Sequence, residues 1–359
     1  MSDFESGRLQ GDSSDATGTS SSSSASATPM KGRRNQHDKV ASKVRGLGIA
    51  TTLLSSIVAA DTRFLLASSP LHSRVSYVAL DPLRGTTSLI KPLITPGGVV
   101  DSPQGICIDG PRNRLYVCDP GSKSKKVFWF ELQVRGPAEL KVVGQGKAAA
   151  LQVEPQWCTV DHVGNLFFTD AVGSIKKVPA EALMGEGVSS PSVVEELYNP
   201  NSAPQLSTPA GLTTDNMFLF WGNSELGTVK GSLGRAPQNN FYTGQTVRIA
   251  ANAEKVYGVC TVGSELYFTE EKLKIHAVKK TGGTIVQVAD TFVEPRGCIW
   301  DGEGSVFVAD RKGGAIYELP TALPNALPSS TVTKVFNLED AYGVAVFEQN
   351  NILVNAIFG

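Results

Sequence analysis

Five polar residues close five short apolar runs in this chain, and their types are those that could do chemistry. Asp119, Asp170, Asn223, Glu270 and Asp310 end LYVCD (115–119), LFFTD (166–170), LFWGN (219–223), LYFTE (266–270) and VFVAD (306–310). Carboxylate and amide oxygens gathered around one centre suit a hard divalent cation. A second set stands before other apolar runs. Gln104, Gln156, Ala210, Tyr257, Arg296 and Tyr342 each precede a Gly, or Trp157 in its place, in PQGICID (103–109), PQWCTVD (155–161), PAGLTTD (209–215), VYGVCTV (256–262), PRGCIWD (295–301) and AYGVAVF (341–347). A plainer reading competes for the acids. Each would accept hydrogen bonds from backbone amides of a neighbouring loop, a local role that must recur in every unit.

The remaining reactive residues offer less. Of the four histidines, His37 falls in the N-terminal tail and His72, His162 and His276 in turns or a strand, and His162 has no acidic, Ser or Cys partner at a suggestive spacing. Cys107 and Cys260 sit two residues after the Gly position, and Cys158 and Cys298 one residue after it. Strand alternation sends the two pairs to opposite sheet faces, so four-way metal ligation is not expected. Five cysteines without CxxC spacing also fit no disulfide framework. Buried free thiols are the expectation.

These residues must be held by strands. The chain has 359 residues, of which 36 are Gly and 20 Pro, with only 19% charged, a composition of short strands and turns rather than of helical bundles. Lys plus Arg is 33 and Asp plus Glu 34, so no nucleic-acid-binding surface is implied. The Gly-centred openings recur every roughly 40–50 residues. Each is followed by the acid-ended run, then by a third strand such as KVFWFEL (126–132) or KIHAVKK (274–280), and a fourth such as ELKVVG (139–144) or TIVQVAD (284–290). Turns such as Asp301-Gly302-Glu303-Gly304 join the first two. Four antiparallel strands per unit mark the blade of an all-β propeller, in which stacking buries both faces of each sheet.

Residues 1–45 read as a disordered tail, Ser-rich and then basic, and 46–359 as the propeller. SSIVAADTRFLLAS (55–68) opens an N-terminal unit, and the last unit stops after its second strand. That makes six full units and part of a seventh, so the count leans to seven blades over six. Closure then pairs the N- and C-terminal strands, 47–54 with ILVNA (352–356). Residues 46–60 also allow a signal or membrane anchor, although a spanning helix needs ~20 apolar residues. Contact with a membrane would come through residues 31–60. No Asn-x-Ser/Thr acceptor is present, which favours a cytoplasmic over a secreted protein.

With LYVCD, LFFTD and VFVAD following Pro-x-Gly openings, residues 55–359 resemble the NHL and YWTD repeat propellers and the related gluconolactonase-type propellers. The resemblance implies a ligand site where the first and second strands meet the central channel. There Gln104, Asp119, Gln156, Asp170, Asn223, Tyr257, Glu270, Arg296, Asp310 and Tyr342 would form a polar, acidic mouth with Arg296 as the main counter-charge. That group holds binding modules, scaffolds, lactonases and lyases. The expectation is a non-catalytic binding or scaffold propeller for a protein or small-molecule ligand, with no cofactor. The first alternative is a metal-dependent lactonase, its Ca²⁺ or Zn²⁺ held by Asp170, Asn223 and Glu270. The second is a tethered or secreted propeller.

Overall fold

A computed structural model describes residues 62–80, 89–121, 125–136, 138–225, 232–239, 246–251, 254–271, 273–321 and 331–349. They form six four-stranded antiparallel sheets, each with neighbouring strands in consecutive order except at the closure. The basic tail, residues 46–60 and ILVNA (352–356) lie outside the described residues.

Blade two shows why the strands read as continuous apolar runs. Its second strand, Arg114–Asp119, is buried from Leu115 onward. Leu115 and Val117 pack with Phe64, Tyr77 and Phe347 of blade one. Tyr116 and Cys118 pack with Cys158, Leu166 and Phe168 of blade three. Alternate side chains therefore enter alternate interfaces, and neither face of the sheet meets water. The outer strands are more exposed, as in Val286–Ala289 of blade five and Thr333–Asn337 of blade six.

The blade count departs from the sequence expectation. The strand Val344–Glu348, read as the opening of a seventh unit, is the innermost strand of blade one. It pairs antiparallel with Arg63–Ser69, setting Phe64 against Phe347 and Leu66 against Ala345. Arg74–Leu80 and Lys91–Ile94 complete that sheet. The first unit and the supposed seventh are thus two parts of one blade, and the described residues close at six. Val344–Glu348 touches the innermost strands of both blade six and blade two, so the ring has no gap at this point. Pairing of Arg63–Ser69 with Val344–Glu348 removes an open sheet edge, while the expected partners 47–54 and 352–356 lie outside the described residues.

Four of the six Gly-centred openings are register shifts. Between Pro155 and Trp157, Pro209 and Leu212, Val256 and Val259, and Pro295 and Cys298, the first strand slips against the second. Each shift bends the inner strand where it reaches the channel.

Candidate functional site

The strand-ending acids face their own loops. Asp310 accepts the backbone N–H groups of Val293 and Glu294 at 2.8 Å each and of Gly313 at 3.0 Å. Asp119 accepts those of Asp101, Ser102 and Gly121 at 2.7, 2.9 and 3.1 Å. Asp170 takes Glu154 N–H at 3.2 Å, Val172 N–H at 3.1 Å and the Lys176 ammonium at 2.9 Å. The Asn223 amide accepts from Ser207 N–H and donates to the Gln205 carbonyl. Glu270 meets Glu254 N–H at 3.4 Å and His276 Nε2 at 3.3 Å. Burial pushes the Glu270 carboxyl up, but His276 and the Glu254 amide outweigh it and hold the group below the ordinary glutamate value. All five side chains are buried.

Blade one performs the same task with different residues. Its second strand ends at Ser69, whose hydroxyl donates to the Glu339 carbonyl at 2.6 Å. The carboxylate comes from the opposite side, where Asp340 accepts Leu71 N–H at 2.7 Å. The sequence signal was the DAYG run (340–343), in which the acid precedes the Gly rather than ending a strand.

Inside these acids runs a girdle of bonds between successive blades. The residue before each strand-ending position decides its form. Where it is Thr or Ser, a hydroxyl bridges. Gly258 N–H donates to Thr269 Oγ1 at 2.8 Å, and that hydroxyl donates to the Arg296 carbonyl at 2.6 Å. Thr169 links Trp157 N–H to the Ala210 carbonyl, and Ser68 links Gly343 N–H to the Gln104 carbonyl. Where it is Cys118 or Ala309, no hydroxyl is available. Gly105 N–H and Gly297 N–H then reach the carbonyls of Gln156 and Tyr342 directly, both at 2.8 Å. This proximity is the reason for the glycines. A Cβ on Gly258 would lie 2.1 Å from the Arg296 carbonyl oxygen, and one on Gly105 would lie 2.6 Å from that of Gln156.

The residues beside the girdle glycines form the floor of the channel mouth. Trp157 of blade three stacks on Tyr342 of blade one with ring centroids 5.3 Å apart. Those blades are not neighbours, so at this level the channel is no wider than two stacked rings. Tyr257 packs against the same apolar cluster. The Arg296 guanidinium lies 3.8 Å from the centre of the Tyr257 ring, a favourable face for a cation. Arg296, although buried, is ion-paired with Glu294 and donates to the Pro295 carbonyl. Lys312 lies 2.7 Å and Arg311 3.8 Å from the same Glu294 carboxylate, and Arg311 Nε is 2.7 Å from Asp340. Burial raises the Glu294 carboxyl, but Lys312, Arg296 and Arg311 together hold it below its ordinary value. Burial takes the Tyr342 phenol up to about 12, so it stays a neutral hydroxyl.

The predicted site residues therefore separate into two groups. Tyr257, Arg296 and Tyr342 meet at the channel floor, with Gln104 and Gln156 half-buried on its rim. Asp119, Asp170, Asn223, Glu270 and Asp310 are turned into the loops, which leaves the mouth cationic on the blade-six side rather than acidic. Sequence reading missed Trp157 as a floor residue, and Glu294, Arg311, Lys312 and Asp340 altogether. Asp170, Asn223 and Glu270 are each engaged by partners in their own blade and the loop that leads into it. Among the described residues no group of three or more His, Cys, Asp or Glu is arranged to hold a metal ion.

The cysteines differ from expectation. Cys260 and Cys298 form a disulfide between the inner strands of blades five and six, with Cα atoms 5.8 Å apart. Their opposite faces were read as keeping them apart. In a ring, the opposite faces of adjacent sheets are the ones that meet.

No family profile matches the sequence, and neither does any curated protein. Solved structures do match. The propeller of a nidogen/laminin complex superposes with a TM-score of 0.59 at 15% identity, over 79% of this chain and 98% of that one. A putative 6-phosphogluconolactonase from Bacteroides fragilis gives 0.52 at 14% identity, over 80% and 99%. A gluconolactonase from Xanthomonas campestris gives 0.48 at 12% identity, over 73% and 86%. The chain is a β-propeller, of the architecture that the NHL- and YWTD-like repeats implied.

Proposed function

We propose that this propeller is a non-catalytic binding module whose channel mouth takes an acidic segment of a partner protein. The observation that carries the reading is the pairing of cation and aromatic surface on one rim. The Lys312 side chain is 72% exposed, the Arg311 guanidinium lies 5.8 Å from the centre of the half-buried Tyr342 ring, and Arg296 lies over Tyr257. Glu294 and Asp340 fix the cations from below, so little side-chain freedom remains to be lost on binding. A carboxylate arriving from solvent would meet Lys312 and Arg311, with the tyrosine rings beneath its apolar neighbours. That a propeller of this fold was solved within a nidogen/laminin complex supports the reading. The disulfide supports an oxidising compartment over the cytoplasmic one expected from sequence.

A metal-dependent lactonase is the second reading, favoured by the superposition on a putative 6-phosphogluconolactonase. It requires Asp170, Asn223 and Glu270 to leave the partners described above. One experiment separates the two. A hexaglutamate peptide, with hexalysine as control, is titrated calorimetrically against the full chain and Lys312→Glu. The proposal expects salt-sensitive binding of hexaglutamate alone, weakened about tenfold or more by the charge reversal, which is ~1.4 kcal/mol. Equal behaviour of the two proteins, or Ca²⁺- or Zn²⁺-dependent hydrolysis of an aldonolactone lost in Asn223→Ala, would overturn it.

A further inference from the structure

Cys107, Cys118 and Cys158 lie together at the interface of blades two and three. Cys118 and Cys158 belong to one buried cluster, and Cys107 packs against it. Their placement repeats, three blades around the ring, that of the Cys260–Cys298 disulfide. Cys107 follows Gly105 by two residues and sits opposite Tyr116 in the sheet; Cys260 follows Gly258 by two and sits opposite Tyr267. Cys158 follows Trp157 by one, as Cys298 follows Gly297, and each lies on the inner strand of the next blade. One inter-blade pair is bonded and its counterpart is not. The difference between the two places is Cys118, which stands where blade five has the bridging Thr269.

We infer that Cys107, Cys118 and Cys158 form a thiol–disulfide exchange site, whose reaction partner is a low-molecular-weight disulfide and whose oxidised form is a second inter-blade staple, Cys107–Cys158. Cys107 is the entry point, because it is half-buried while the other two are buried. Its thiolate attacks one sulfur of the incoming disulfide, forms a mixed disulfide and releases one thiolate. That thiolate takes the proton of Cys158, whose sulfur then attacks the Cys107 sulfur and expels the second half as a thiolate, which takes up from solvent the proton that Cys107 gave up on ionising. Two protein thiols are oxidised and one small disulfide is reduced to two thiols. Cys118, buried in the same cluster as Cys158, can next attack the Cys158 sulfur, moving the bond to Cys118–Cys158 and returning Cys107 to the thiol form. Cys260–Cys298 has no such third thiol, since its counterpart position is a threonine, so that bond stays where it is. Burial raises the Cys107 thiol above its ordinary value, so exchange should be slow at neutral pH and quicken as pH rises.

The full folded chain is incubated with oxidised glutathione at pH 8.5, its free thiols are blocked, and its disulfides are mapped by mass spectrometry. The site predicts a Cys107–Cys158 cross-link beside Cys260–Cys298, with part of the population as Cys118–Cys158. In Cys118→Ser, Cys107–Cys158 should form as the only added bond. In Cys107→Ser, the uptake of oxidant by the cluster should fall at least tenfold. Three thiols that stay reduced in a natively melting protein, or glutathione that remains on Cys107 without transfer to Cys158, would overturn the inference. The wild-type map decides the matter even if a variant fails to fold.

Discussion

At Asp310 the backbone amides of Val293, Glu294 and Gly313 converge on one buried carboxylate. Removing the acceptor leaves the buried Glu294 amide without its partner and breaks two further bonds. Asp310→Ala should therefore destabilise the protein by about 2–4 kcal/mol, measured by urea denaturation. Asp310→Asn, which keeps one acceptor oxygen, should recover part of that loss. If Asp310→Ala leaves stability unchanged, the strand-ending acids are not structural and their availability for a ligand returns. The position and type of these acids were legible in the sequence, because the role recurs in five blades. Of the two directions that the sequence allowed, the bonds to backbone amides of a neighbouring loop are the ones formed, as a role recurring in every unit requires. The cationic rim was not legible. Glu294, Arg311, Lys312 and Asp340 occupy no repeated position, and only the fold brings them together.

At the scale of the strands, the girdle explains why a Pro-x-Gly opening recurs. Gly258→Ala would force its Cβ against the Arg296 carbonyl of the next blade, and neither backbone can yield without moving a sheet. A loss of about 3 kcal/mol is expected, at the upper end of overpacking costs. Gly304→Ala, in a turn with no atom near the added methyl group, should change thermal stability by less than about 0.5 kcal/mol. Equal effects from the two would mean that inner strands do not approach as described. Thr269→Val deletes the hydroxyl that joins Gly258 N–H to the Arg296 carbonyl while keeping its volume. A loss of about 1–3 kcal/mol in urea denaturation is expected. The sequence showed the strands, their order within a blade and most of their limits. It expected free thiols and missed the Cys260–Cys298 bond, because alternation was judged within one sheet when the contact is between two.

The whole ring depends on which strands close it. Sequence repeats cannot say whether a leftover opening unit starts a new blade or returns to the first, since both readings use the same residues. In the structure Val344–Glu348 returns, and it brings Asp340 and Tyr342 with it to the channel mouth. Six-fold closure and the proposed binding site therefore stand or fall together. Arg63 and Glu348 are direct partners across this closure. Paired positions of antiparallel strands lie ~4.5–5.5 Å apart at Cα, within the reach of a disulfide. The decisive measurement is a disulfide map of the natively folded double variant Arg63→Cys, Glu348→Cys after mild oxidation. Six-blade closure predicts a cross-link between residues 63 and 348 and a higher melting temperature. Two thiols that remain separate in a protein with an unchanged melting temperature would contradict that closure, and with it the meeting of Tyr342 and Trp157 across the channel.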